Sequence, residues 1–418
     1  LLRKLTGGGV VAAFVLVALV GGNRAWPSGW TPEQVALISS LTLATAMAAP
    51  PDASNRFADV PGAARLGAKI FSDPEFSKNG KVACSTCHQP ARAFTDGSTV
   101  AQGVGAATRN TPSIVTSSHA ALLFWDGRRD SVWAQALLPL EGSAEHGTTR
   151  AGIVHVLEKR YRTEYEALFG PLPSLEPSRT PLAASPLGDP KERAAWDQLA
   201  PHDQHAINVV FANVGKALAA YQRSLVLQPS RFDRYARELA KGNHLLARLW
   251  MSDEELAGLG LFIGRANCIL CHSGSLFTNH EFFSLGLPFG AAGPDPGRAA
   301  AYKAVHADPF NCRGRYSDAP PEACKELQFM ADDALGFLAN FKVPSLRNVT
   351  KTAPYMHAGQ FQRLEQVLEH YNRAPGVPFP EHTDIRPLAL SLEEQAQIIA
   401  FLETLSSEIE DPHAPVRR

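Results

Sequence analysis

Residues 84–88 read CSTCH and residues 268–272 read CILCH. In each stretch two cysteines are separated by two residues and followed directly by a histidine. This is the attachment signature of c-type haem: two thiols add to the vinyl groups of one haem, and the adjacent imidazole reaches the iron from one face. A zinc reading would need two such pairs to converge on one ion, and it does not ask for a His after the second Cys in both copies. Cys84, Cys87, Cys268 and Cys271 are therefore the covalent haem-binding residues. His88 and His272 are the axial ligands, and the cofactors are two haems c.

Working outward, Leu66-Gly67, an apolar turn, CSTCH and Phe94-Thr95 find a counterpart in Leu259-Gly260, an apolar turn, CILCH and Phe277-Thr278. Such self-similarity points to a duplicated single-haem domain with its boundary between residues 240 and 252. The expected fold is mostly α, with two cytochrome c domains, long loops and few strands. The first domain spans 59–245 and the second 246–410.

Local signals place the helices. Thr31-Pro32-Glu33-Gln34 is a capping box with Pro at the first helical position, opening a helix towards Leu43. Ile207, Val210, Phe211, Val214, Leu218 and Tyr221 follow helical spacing between Asp203 and Leu225. Ser252–Glu255 and Ser391–Glu394 are further capping boxes. Ile398, Ile399, Phe401 and Leu402 form the expected buried face of the last helix. Six prolines between Pro171 and Pro190 exclude regular structure there and mark a surface loop.

The chain has 418 residues, too many for one comfortable core, and 45% of them are hydrophobic against 19% charged. A net charge of −1 leaves no electrostatic footprint for nucleic acid or an anionic membrane surface. Arg3 and Lys4, a Gly run and the apolar stretch Val10–Val20 read as a secretory signal within residues 1–25, with an uncleaved anchor as the alternative. Residues 26–58 are an N-terminal helix and linker. Export places the protein outside the cytoplasm. In that oxidising setting Cys312 and Cys324, which flank a short Pro-rich loop, read as a disulfide, the alternative being two free buried thiols.

The motifs RNTPS and FWDGR after the first haem motif, and FKVPSLRN and APYMHAG after the second, resemble the bacterial dihaem cytochrome c peroxidases and their MauG-like relatives. The resemblance runs from about Asp59 to Leu405. It implies haems near the domain interface, with the first binding peroxide and the second transferring electrons. It further implies that Trp125 lies between the haems as an electron relay. Gln135 is then a distal hydrogen-bond donor, Pro139 caps the iron without ligating it, and Glu145 is the acid/base carboxylate. Asn110, with the backbone carbonyls of Thr352 and Pro354, matches a probable Ca²⁺ site, and oxygen-only ligands suit that ion.

Read without the resemblance, Trp125 is an ordinary core residue, Glu145 a solvated charge and Asn110 a turn residue. Glu141 is the fallback for Glu145, and His146 reads as a surface residue. The ordinary peroxidases carry a His after the first motif that blocks the iron. Residues 89–112 contain no His, so the first haem is expected to be open, with His119 as the remaining nearby candidate. On the second haem, Tyr371 of LEQVLEHYN stands where a Met is usual, as in the MauG-like variant. Met356 and His370 compete with it, although His370 is rotated by about 100° from Tyr371 on a helix. A phenolate favours ferric and higher iron over what a thioether would.

The expected function is a periplasmic dihaem peroxidase that uses hydrogen peroxide to oxidise a partner protein, including modification of a partner Trp. A detoxifying peroxidase fed by a small cytochrome or cupredoxin is the alternative enzyme. A non-catalytic dihaem electron carrier is the alternative of another class. No nucleic-acid partner and no stable membrane partner are expected.

Overall fold

A computed structural model describes residues 29–43, 49–173, 181–324, 327, 329, 330, 335–375 and 383–414. The apolar stretch Val10–Val20 lies outside them. The protein is mostly helical, and its described strands are two residues long. The helices that carry the architecture are α1 (Pro32–Ser40), α2 (Pro61–Ser72), α3 (Val132–Glu141), α4 (Pro201–Ser224), α5 (Arg231–Ala240), α6 (Asp253–Ile263), α7 (Leu364–Arg373) and α8 (Leu392–Glu403). No helix of the described residues is long and apolar enough to cross a membrane.

Capping sets several helix starts. Thr31 Oγ1 accepts from the Gln34 amide at 3.3 Å while Gln34 Oε1 accepts from the Thr31 amide at 2.9 Å, and α1 ends at Ser40, short of Leu43. The same reciprocal box opens α6 at Ser252 and α8 at Ser391. A further box, Ser230 with Asp233, opens α5, and this helix went unread in the sequence. In α8, Ile398, Phe401 and Leu402 are buried, and Ile399 packs at the edge of the same cluster.

Two helix pairs form the frame: α2 crosses α4, and α6 crosses α8. Each crossing is made at a glycine. A Cβ on Gly67 would overlap the Ala217 carbonyl and stand 3.0 Å from Tyr221 Cβ. A Cβ on Gly258 would overlap the Gln397 carbonyl and stand 3.0 Å from Phe401 Cβ. The partner residues are four apart in both cases, so Gly67 is equivalent to Gly258. This corrects the register of the repeat, which the sequence had aligned on Gly260. A Cβ on Gly260 would instead stand 3.4 Å from the Trp30 ring. Gly258→Ala is expected to cost on the order of 1–3 kcal/mol by forcing the helices apart, and Gly260→Ala little. Chemical denaturation of the two variants side by side checks this.

Two hydrophobic clusters follow from the pairs. The first gathers α2, α3 and α4 around Trp133, Phe76 and Phe211. The second gathers α1, α5, α6 and α8 around Phe232, Phe262, Phe277 and Phe401. Helix α5, which the sequence boundary at 245 assigns to the first domain, packs in the second cluster, and α1 joins it there. Arg347 anchors that cluster, donating to Asp233 at 2.6 and 2.9 Å and to the Leu41 carbonyl at 3.0 Å. Segments from the second half also return to the first cluster. Phe310 and Tyr316 are buried in it, and Lys216 Nζ donates to the Tyr316 carbonyl at 2.8 Å. Cys312 and Cys324, with Cα atoms 6.0 Å apart, are disulfide-bonded beside this segment. Strand β4 (Ile409–Glu410) pairs antiparallel with β1 (Val226–Leu227), and β2 (Phe282–Phe283) with β3 (Phe341–Lys342).

Candidate functional site

A cavity of about 1330 Å³ runs between the two helix pairs and is lined by both C-x-x-C-H motifs. An ordinary small-molecule pocket holds roughly 300–1,000 Å³. The four motif cysteines are unbridged, and burial pushes the Cys84 and Cys268 thiols up to about 12. Among the described residues no group of three or more His, Cys, Asp or Glu is placed to hold a metal ion.

The two motif histidines are held alike. His88 Nδ1 lies 3.0 Å from the Phe94 carbonyl, and His272 Nδ1 lies 2.9 Å from the Phe277 carbonyl. With Nδ1 as donor, each ring presents Nε2 as the free lone pair, the arrangement that orients a metal-binding imidazole. The carbonyls reach the rings because Phe94 and Phe277 adopt left-handed φ values of 61° and 53°. Both phenylalanines are fully buried, so the packing sustains a conformation that a bulky residue rarely adopts. Burial lowers the pKa of both imidazoles, His272 to about 4, which keeps them neutral and able to ligate.

Beside the first motif, α3 presents Gln135 and Pro139 to the cavity one turn apart. Pro139 has no amide hydrogen, and the helix ends two residues later at Glu141. Gly142 then starts a turn that brings Glu145 back over it. Val104 N donates to the Glu145 carbonyl at 2.8 Å, and Gly105 N to the Ala144 carbonyl at 3.0 Å. A side chain on Gly103 would collide with this loop. Burial raises the pKa of the Glu145 carboxyl, with the Arg128 guanidinium pulling the other way. Arg128 lies 3.5 Å from the Phe124 ring centroid and pairs with Asp126 at 3.0 Å.

Two competing readings change. Glu141 is buried in a two-pronged ion pair with Arg150, at 3.0 and 2.9 Å, and Ser185 Oγ also donates to it. It is not among the residues that line the cavity. His146 is 4% exposed and not a surface residue: its Nδ1 lies 3.0 Å from the Phe76 carbonyl and its Nε2 3.7 Å from Cys84 Sγ. His119 is not among the residues that line the cavity.

Beside the second motif, Leu364, Val367, Leu368 and Tyr371 form the cavity face of α7. Burial raises the pKa of the Tyr371 phenol, and the neighbouring Cys271 and Cys268 add to the shift. His370 points elsewhere, with Nε2 2.8 Å from the Leu285 carbonyl. Met356 also lines the cavity, at a left-handed φ of 73°.

Between the motifs, Trp125 Nε1 donates to the Asn110 carbonyl at 2.9 Å, and Lys342 N donates to the Trp125 carbonyl at 2.7 Å. Asn110 N in turn donates to the His357 carbonyl at 2.8 Å, and its Nδ2 to the Ser98 carbonyl at 2.9 Å. Asn110, Thr352 and Pro354 line the same cavity. Arg109 ties the halves together, pairing with Asp126 at 2.5 Å and Asp295 at 2.7 Å.

The sequence reading missed three nitrogen groups on the cavity wall. His280 and His357 each bury an Nδ1 without a partner, and burial takes both imidazoles down to about 4. Burial alone pushes the Lys342 amine down to about 8. Buried donors of this kind call for an acceptor within the cavity. A cofactor bearing carboxylates, as haem does, fits both this polar wall and the motifs. Nothing in the local sequence announces these groups.

Comparison with known proteins agrees with this geometry. Residues 61–241 match the family model described as di-haem cytochrome c peroxidase. The methylamine utilization protein MauG of Methylorubrum extorquens is 31% identical over 82% of this chain and 78% of its own. The cytochrome-c peroxidase IdrP1 of Denitromonas iodatirespirans is 31% identical over 82% of this chain and 80% of its own. Among solved structures, a MauG-like protein associated with microbial copper homeostasis shares 25% identity at a TM-score of 0.56, covering 86% of this chain and 94% of its own. The diheme peroxidase BthA of Burkholderia thailandensis shares the fold at a TM-score of 0.62 and 20% identity, over 87% of this chain and 95% of its own.

Proposed function

The chain belongs to the di-haem cytochrome c peroxidase family and is a haem-dependent oxidoreductase with two haems c, and from that premise we propose that it is a periplasmic, MauG-like peroxidase that oxidises a partner protein. The observation that carries the reading is Glu145, a carboxylate held on the cavity wall with Gln135 and Trp125 beside the first haem motif. Two cytochrome c domains, each built on one glycine-crossed helix pair, would hold one haem apiece.

When bound, the first haem would supply an iron that reacts with peroxide, and the two haems together a store for the oxidising equivalents. The residues supply the rest. Neutral His88 and His272 present Nε2 towards the cavity. Glu145 takes the proton from the attacking peroxide oxygen and returns it to the departing one, and Gln135 orients the peroxide by hydrogen bonding. Pro139 offers no donor and keeps that side of the site clear. Trp125, tied to Asn110 and Lys342, is held rigidly between the motifs as the electron relay. Tyr371, on the cavity face of α7, would hold the second haem together with His272. Asn110 and the carbonyls of Thr352 and Pro354 would hold Ca²⁺, which would stiffen the Trp125 tether.

A detoxifying role is the second reading, favoured by relatives named cytochrome-c peroxidase. One experiment separates the two. The purified holoprotein is incubated with hydrogen peroxide and either the proteins encoded beside it or a reduced small cytochrome. Mass shifts from oxidised Trp in a partner support the first reading. Rapid turnover of the reduced cytochrome, with no modified partner, supports the second and overturns the first.

A further inference from the structure

Tyr221 lies near the end of α4 and is 4% exposed. Its ring centroid is 4.9 Å from that of Phe71, and Phe71 is 6.4 Å from the imidazole of His88. An unbroken aromatic line therefore leads from the first haem ligand to this phenol. The position of the ring is set by a close contact of the frame, the α2–α4 crossing at Gly67. The Tyr221 hydroxyl donates to Asp411 Oδ2 at 2.9 Å. Asp411 is delivered from the far end of the chain by the β1–β4 pairing, directly after Glu410. It is half-buried, and the half-buried His413 ring lies 6.2 Å from Tyr221. The phenol is thus inside, and its hydrogen-bond partner is at the surface.

We propose that Tyr221 is a redox-active tyrosine, with Asp411 as its proton acceptor, that carries an oxidising equivalent from the first haem site to the protein surface. The proposal rests on the reading of that site as peroxide-reactive. Burial and the neighbouring Asp411 carboxylate both raise the pKa of the phenol, so it does not ionise by itself. It can lose an electron only as its proton leaves, and the carboxylate lies at proton-transfer distance. One electron passes from Tyr221 to the oxidising equivalent held at the first haem. The hydroxyl proton passes to Asp411 Oδ2. A neutral phenoxyl radical and a protonated carboxyl remain, and one electron from a donor at the Asp411–His413 surface reverses both changes. Trp125 differs in this respect, because its indole N–H is bound to the Asn110 carbonyl, which is no base.

The test uses the full haem-loaded chain labelled with ring-deuterated tyrosine, mixed with hydrogen peroxide without any partner and freeze-quenched for electron paramagnetic resonance. The expected result is an organic radical whose line narrows on deuteration. Tyr221→Phe, which keeps the ring and so the packing, removes that signal while the haem absorption still responds to peroxide. Asp411→Asn keeps the phenol and lowers the radical yield about tenfold or more, as loss of a positioned base does. The same deuterium-sensitive signal in Tyr221→Phe, or no radical in the wild type although the haem spectrum reports oxidation, overturns the proposal. A wild type whose haems do not respond to peroxide at all overturns the peroxidase reading, and this proposal with it.

Discussion

Glu145→Gln slows the reaction with hydrogen peroxide by about 10²–10⁴-fold, the usual cost of losing a positioned acid/base group, and leaves the fold and both haems in place. Glutamine has the same shape but cannot accept a proton. The backbone of the loop is clamped independently of the side chain, through the Val104 and Gly105 amides. The pH profile supplies a second check. A general base must be ionised, and burial raises the pKa of this carboxyl above its ordinary value. The rate should therefore climb with pH through a limb lying above the usual glutamate pKa of about 4.3, and level off beyond it. That limb should vanish in Glu145→Gln. Removing the Arg128 charge takes away the interaction that holds the carboxyl down, so the limb should move to higher pH. Stopped-flow absorption in the haem bands measures all three, and an undiminished rate in Glu145→Gln removes this residue from the mechanism.

Tyr371→Phe changes the resting state as strongly. In the oxidised wild type, electron paramagnetic resonance should show one high-spin haem, with His88 as its protein ligand, and one low-spin haem held by His272 and Tyr371. Phenylalanine fills the same space on α7 but offers no oxygen, so the low-spin signal should disappear or be replaced by that of another ligand. His370 is a poor substitute because it faces the Leu285 carbonyl and lies off the cavity face. Met356, already on the cavity wall, is the replacement to look for. An unchanged low-spin signal rules out the tyrosine ligand, and two low-spin haems in the wild type rule out the open first site.

Several sequence assignments concerned chemistry complete within a few residues. The Cys-x-x-Cys-His stretches, the capping boxes at Thr31, Ser252 and Ser391, and the helical spacing from Ile207 to Tyr221 are of this kind. Each depends on backbone and side-chain groups one or two turns apart, so neighbouring residues suffice to read it. The family motifs pointed further, to Trp125, Gln135, Pro139 and Glu145, all of which line the cavity.

What failed to be legible was whatever depends on distant partners. Glu141 and Glu145 are both glutamates near the end of α3. The family motif favoured Glu145, but only the fold shows that Arg150 occupies Glu141 while Glu145 lines the cavity. His146 reads as polar and exposed, yet it is buried against Phe76 and Cys84. The repeat has two plausible registers around Gly258 and Gly260, and the choice is made by which glycine meets the facing helix. Helix α5 belongs with the second cluster because Asp233 meets Arg347 there. The sequence by itself thus determined which cofactor is attached and where helices begin, because those are decided by covalent chemistry and local hydrogen bonds. The tertiary structure alone decided which glycine meets the facing helix and which polar side chains are buried or paired, because burial and pairing exist only once segments far apart in the chain have come into contact.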